Sequence, residues 1–96
     1  MSLVIHKYPV PVGTEPGISE ITVPLNAWFV SFGQQNDDLF VWAVIDPETQ
    51  EEEIARLLVV GTGHEFSYRD CGRFLGTAHL FGGSVVVHCF EAPENW

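Results

Sequence analysis

Apolar residues in this chain recur at every second position, in short runs broken by glycine, proline and polar clusters, and no long stretch follows the 3.6-residue period of an amphipathic helix. Leu3 to Val10 alternates weakly and contains Pro9, with Pro11 just beyond. Each proline removes a ladder donor, so this is expected to be an edge strand. Gly13-Thr14-Glu15-Pro16-Gly17 reads as a turn, and a short second strand runs from Ile18 to Val23 until Pro24 stops it. Ala27 to Gly33 places Trp28, Val30 and Phe32 on one face and Phe29 and Ser31 on the other, and Leu39 to Asp46 answers it with apolar residues on both faces. With polar Gln34 to Asp38 between them, these two strands are predicted to pair antiparallel as the centre of the sheet.

Asp46-Pro47 ahead of Glu48, Glu51, Glu52 and Glu53 has the ingredients of a helix start: a capping carboxylate, a first-turn proline and acids near the N-terminus. An acidic loop is the competing reading. The β-branched run that ends in Gly61-Thr62-Gly63-His64 leaves little room for a helix, so a loop and then a strand from Ile54 to Val60 are expected. Gly61 and Gly63 mark a tight turn with positive φ or a close approach, which delivers His64 to a surface. His64 to Gly72 is a connection packing Phe66 and Tyr68. Arg73 to Leu80 and Val85 to Glu91 form a final hairpin around Gly82-Gly83. In that register Thr77 pairs with His88, His79 with Val86 and Leu75 with Phe90. Phe74, Gly76, Ala78, Leu80, Val85, Val87 and Cys89 then face the core, and Thr77, His79 and His88 lie on a half-polar opposite face. The whole is mainly β: a small antiparallel sandwich or partly open barrel of six to seven short strands, one domain over residues 1–96.

Composition narrows the function classes. A chain of 96 residues that is 46% hydrophobic and holds seven Phe and three Trp can bury a core without staples. Nothing approaches the roughly 20 apolar residues of a membrane span, and no basic-then-apolar leader opens the chain, so a soluble cytoplasmic protein is expected. Cys71 and Cys89 lack metal-ligand spacing and are expected to be free thiols. Thirteen acidic residues face four basic ones, for a net charge of −9; Lys7, Arg56, Arg69 and Arg73 are too few and scattered to track a phosphate backbone, so no direct nucleic-acid contact is expected.

Candidate chemistry gathers at the glycine turn. Gly61-Thr62-Gly63 lacks the third glycine and helix of a dinucleotide loop and the Lys-Ser/Thr of a P-loop, yet a glycine turn offers backbone N–H groups to an anion. The candidate ligand site therefore comprises Gly61, Thr62, Gly63, His64, Arg69, Arg73, His79 and His88, binding a small anion or nucleotide. His79 and His88 as diagonal neighbours have the reach to share a metal, with His64 or Asp46 as a third ligand; the competing reading makes them half-exposed strand residues with ordinary hydrogen bonds. No catalytic residue, metal or cofactor is assigned. Cys71 between Arg69 and Arg73 is weak evidence for an activated nucleophile, and a small loop residue is the favoured reading.

The ordered motifs Ile5-His6-Lys7-Tyr8-Pro9, Trp42-Ala43-Val44-Ile45-Asp46-Pro47, Gly61-Thr62-Gly63-His64, Gly76-Thr77, Gly82-Gly83 and Val87-His88-Cys89-Phe90-Glu91 carry a resemblance over nearly the whole chain. The chain resembles a family of short, uncharacterised proteins of bacteria, phages and prophages. It departs from the pattern in the length of its acidic Pro47 to Glu53 segment and in its Trp96 tail. The resemblance implies a small β fold and a mobile-element context, and no activity. With the charge, it sets the leading expectation: a non-enzymatic phage or prophage interaction protein that blocks a basic host protein, including a defence component. The alternative is a small-ligand binding or sequestering protein using the glycine turn, and the third a metal-dependent enzyme. The Leu3 to Val10 edge and the aromatic excess add an expected homodimer. If the protein blocks a partner, Asp37, Asp38, Glu48 and Glu51 to Glu53 should share one face with an apolar centre.

Overall fold

The computed structural model describes residues 2–11 and 17–93. Seven strands follow one another: β1 (Val4–Pro9), β2 (Ile18–Pro24), β3 (Trp28–Gln35), β4 (Asp38–Ile45), β5 (Glu52–Gly61), β6 (Phe74–Leu80) and β7 (Val85–Glu91). They form two antiparallel sheets, a three-stranded one in the order β1-β4-β3 and a four-stranded one in the order β2-β5-β7-β6. The result is a sandwich and not a closed barrel. The expected turn at 13–17 lies, except for Gly17, outside the described residues, as does the end of the tail. No helix of the described residues is long and apolar enough to cross a membrane.

The prolines sit where the ladder tolerates them. Val10 N donates to Leu39 O at 3.0 Å, which makes Val10, Tyr8, His6 and Val4 the residues whose backbone groups turn toward β4. Pro9 falls in the alternate set, with its missing donor on the free side. The bond from Leu25 N to Glu51 O, 2.9 Å, sets the same phase on β2 and turns Pro24 outward there. Both strands are edges, as expected.

The β3–β4 hairpin forms, but its loop is shorter and its place different. Gln34 and Gln35 pair with Leu39 and Asp38, leaving a two-residue turn in which Asn36 and Asp37 have φ of 52° and 63°. This is the double positive-φ turn that matches strand twist. Only β4 is central; β3 is an edge. A bulge at Val30 breaks the expected alternation, so Phe29 and Phe32 are both buried while Trp28, Val30 and Ser31 are exposed. Residues 46–51 are a turn: Asp46 Oδ1 accepts from Glu48 N at 3.0 Å and Asp46 O from Thr49 N at 3.0 Å. An aspartate that closes its own turn has left the helix alternative.

In the last hairpin Thr77↔His88 and His79↔Val86 pair as expected. Ala78, Leu80 and Cys89 are buried as expected, while Val85 is exposed and a second bulge, at Leu75, exchanges two faces: Phe74 and not Leu75 pairs with Phe90, so Leu75 is 8% exposed in the core and Phe74 is 53% exposed. The core between the sheets is built from Ile21, Val23, Phe29, Phe32, Val41, Ala43, Ile45, Leu57, Leu75, Ala78 and Cys89. A smaller cluster of Ile18, Leu58 and Ala92, with Phe90 and Cys71 against it, lies on the other side of the four-stranded sheet. There Phe66 stacks on Phe90 at 5.7 Å. On one flank β3 packs against β6, where Arg73 Nη2 donates to Phe29 O and Phe81 N donates to Asp37 Oδ1 at 2.8 Å. On the opposite flank β1 and β2 are not paired to each other.

Both cysteines are free, and Cys89 lies in the core. Burial, then the nearby Glu91 charge, pushes its thiol from 9.0 to about 12. Iodoacetamide at mildly alkaline pH is therefore expected to label Cys71 alone in the native protein and both thiols in urea, read by mass spectrometry. Because the unfolded thiol ionises first, stability is intact below pH 9.0 and falls between there and about 12, by up to ~1.4 kcal/mol per pH unit. A native Cys89 alkylated as fast as Cys71 would place it outside the core.

Candidate functional site

The glycine turn closes the end of β5. Thr62 N donates to Val86 O at 3.1 Å as the last rung toward β7, and His64 N folds back onto Gly61 O at 3.1 Å. Gly63 has φ of 86°, the left-handed region that favours glycine, while a Cβ at Gly61 would meet only the exposed His64 ring, 3.0 Å from its Nδ1. The turn brings Thr62 beside the half-polar face of β7 and β6. Thr62 Oγ1 lies 2.7 Å from His88 Nε2, and Thr77 Oγ1 lies 2.9 Å from His88 Nδ1. Both ring nitrogens of His88 are thus engaged by threonine hydroxyls, each of which can serve as donor or acceptor. A metal at His88 would have to displace a hydroxyl.

The other candidates disperse. His79 is exposed across from Val86, and its backbone N–H donates to Gln34 Oε1 at 3.3 Å. Among the described residues no group of three His, Cys, Asp or Glu is placed to hold a metal. Arg69 lies exposed in a single 3-10 turn, Tyr68–Asp70. Arg73 is spent on structure: its Nε pairs with Glu91 Oε1 at 2.7 Å while Nη2 holds Phe29 O. Beside the turn is a groove of about 220 Å³ lined by Gly17, Leu58 to Gly61, His64 to Ser67 and Asp70. Its charged lining is Glu65 and Asp70, the wrong sign for an anion.

A second surface is apolar. Val44, Trp42 and Phe40 point away from the core, because Ile45, Ala43 and Val41 point into it. Across the three-stranded sheet the register lines up Ile5, Val44 and Trp28, then Lys7, Trp42 and Ser31, then Pro9, Phe40 and Gly33. No described segment covers this face: Ile5 is 61% exposed, Trp28 50% and Val30 44%. Lys7 Nζ sits 4.4 Å above the Phe40 ring and donates to Gln35 Oε1 at 2.6 Å, and Phe40 meets Trp42 at 6.4 Å. Asp37 and Asp38 stand at the start of β4 and Asp46 and Glu48 follow its end, while Glu52 and Glu53 open β5 in the other sheet, opposite Pro24 and Val23. The seven residue steps of β4 from Asp38 to Ile45, at about 3.4 Å each, span roughly 24 Å. The signal for this surface in the sequence was the apolar character of β4 on both faces, and among the described residues no α-helix covers the outer one.

A model of a family described as a domain of unknown function (DUF7352) matches residues 1–96. No curated protein and no solved structure matches.

Proposed function

The chain belongs to this family of domains of unknown function, and from that premise we propose that it is a non-enzymatic interaction protein of the phage or prophage type, which blocks a basic host protein through the outer face of the β1-β4-β3 sheet. The observation that carries this reading is an apolar row, Ile5–Val44–Trp28, that no described segment covers, on a sheet whose central strand has Asp37 and Asp38 at one end and Asp46 at the other. Apolar centres supply the affinity of protein interfaces, and a charged rim supplies steering and partner choice. A net charge of −9 selects a partner of opposite sign. The threonines on both nitrogens of His88 favour a structural role there over a catalytic one.

Affinity capture from host lysate, with captured proteins identified by mass spectrometry and rebound in purified form, tests it. Trp28→Ser is expected to weaken the purified complex by ~2 kcal/mol or more, roughly 30-fold in Kd, at unchanged stability. Changing Glu51, Glu52 and Glu53 to Gln is expected to slow association and flatten its salt dependence. A partner held equally by wild type and both variants would remove the reading. The groove at the glycine turn carries the ligand-binding alternative. Its acidic lining predicts no calorimetric heat with inorganic phosphate or AMP, and tight binding of either would favour it instead.

A further inference from the structure

The outward edge of β1 carries backbone groups that no described strand pairs. Since Val4, His6, Tyr8 and Val10 spend their backbone groups on β4, the N–H and C=O groups of Ile5 and Lys7 point away from the sheet, toward a flank where the described residues place no strand. Pro9 and Pro11 offer no donors, so the usable edge is short and its register is set at Ile5 and Lys7. A strand laid along this edge would send alternate side chains to two different environments. On the outer side they meet Ile5 and extend the row of Val44 and Trp28. On the inner side they meet His6 and Tyr8, whose rings stand 6.3 Å apart, beside the gap between β1 and β2. That gap is bordered by negative charge: the Tyr8 phenol is pushed up, first by burial and then by the Glu52 carboxylate.

Resting on the interaction reading above, we propose that β1 accepts an extended segment of the partner as an added strand, paired to Ile5 and Lys7, with apolar side chains over the Ile5–Val44–Trp28 row alternating with basic side chains toward the β1–β2 gap. Backbone pairing supplies the affinity of such strand addition and the alternation supplies the specificity. A second copy of this chain is the poorer occupant. Self-pairing about His6 would bring together two molecules that each carry a net charge of −9 and would set their acid-bordered gaps side by side.

The probe is a short capped peptide alternating valine and lysine, compared with one alternating valine and glutamate and with a block-ordered peptide of the first composition. Amide NMR is expected to show the Val/Lys peptide slowing exchange at Ile5 and Lys7, with the other two peptides at least roughly tenfold weaker. Ile5→Pro deletes an outward donor together with the Ile5 side chain, and Ile5→Ser, which keeps the donor, is its control; Ile5→Pro should leave thermal unfolding close to wild type and weaken the peptide by roughly tenfold beyond Ile5→Ser, the scale of one backbone bond left unmade. His6→Pro, which deletes a donor used by β4, should instead lower the melting temperature. Binding to Ile5→Pro no weaker than to Ile5→Ser, equal binding of the glutamate peptide, or no binding of the lysine peptide would overturn the proposal. So would a dimer seen in sedimentation and lost in Ile5→Pro, which would assign the edge to a second copy. Peptide shifts confined to Trp28 and Trp42 would reject strand addition while leaving the outer face as a docking surface. Edge binding that persists while Trp28→Ser leaves the purified complex intact would reject the face and keep the edge.

Discussion

Gly76→Ala is expected to destabilise the protein by about 2 kcal/mol net, a loss of roughly 8–16 °C in melting temperature for a domain of this size. A Cβ at Gly76 would stand 2.7 Å from the carbonyl oxygen of Phe32 and 3.4 Å from its nitrogen. Both are backbone atoms, so no side chain can swing aside; β6 would have to retreat from β3 along the flank that closes the sandwich. That flank also carries the Arg73 bond to Phe29 O and the Asp37 bond to Phe81 N, which would lengthen together. The reduced freedom of alanine in the unfolded chain returns about 0.4–1 kcal/mol, which the net figure includes. Gly82→Ala is the control, because a Cβ there meets nothing within 4 Å and only the left-handed φ of 68° opposes it. Urea unfolding that finds Gly76→Ala as stable as wild type would mean that β3 and β6 do not approach this closely.

Leu57→Ala should cost more, about 3–4 kcal/mol, against the ~5–14 kcal/mol total expected for 96 residues. Leu57 is 0% exposed and sits on β5 between Ser19 of β2 and Glu91 of β7, pointing between the sheets. Sheets on both sides cannot collapse into the cavity, so most of its cost is retained. Leu58, one residue on and 2% exposed, points the opposite way, under the loop that carries Phe66. A loop relaxes more readily than a sheet, and Leu58→Ala is expected to cost less than Leu57→Ala. Equal or inverted losses in denaturant unfolding would contradict the division into an inter-sheet core and a loop-covered cluster.

The candidate site was legible in pieces. Thr77 opposite His88 followed from counting back from Gly82-Gly83, because a hairpin register is local. The Thr62 contact to His88 was not legible: it depends on β5 pairing with β7, a register fixed by the two sheets as a whole. Arg73 read as an anion contact from its place near Arg69, yet the β3–β6 flank puts a carbonyl and Glu91 within its reach, and a guanidinium takes such partners.

What the sequence by itself determined was the set of strands, the edge character of β1 and β2, the loop before β5 and the burial of Cys89. Each rests on short-range physics: period two, missing proline donors, a turn-forming aspartate. The tertiary structure alone decided the bulges at Val30 and Leu75, which reverse the faces of the residues beside them, because one inserted residue leaves no mark in an apolar run. It alone also decided what the doubly apolar β4 is for. A strand with two apolar faces reads as fully buried, and among the described residues the three-stranded sheet is packed on one face, so Trp28 and Ile5 are left exposed and Val44 between them half-buried. Burial is a property of what lies opposite a face, and that is settled by how the sheets stack.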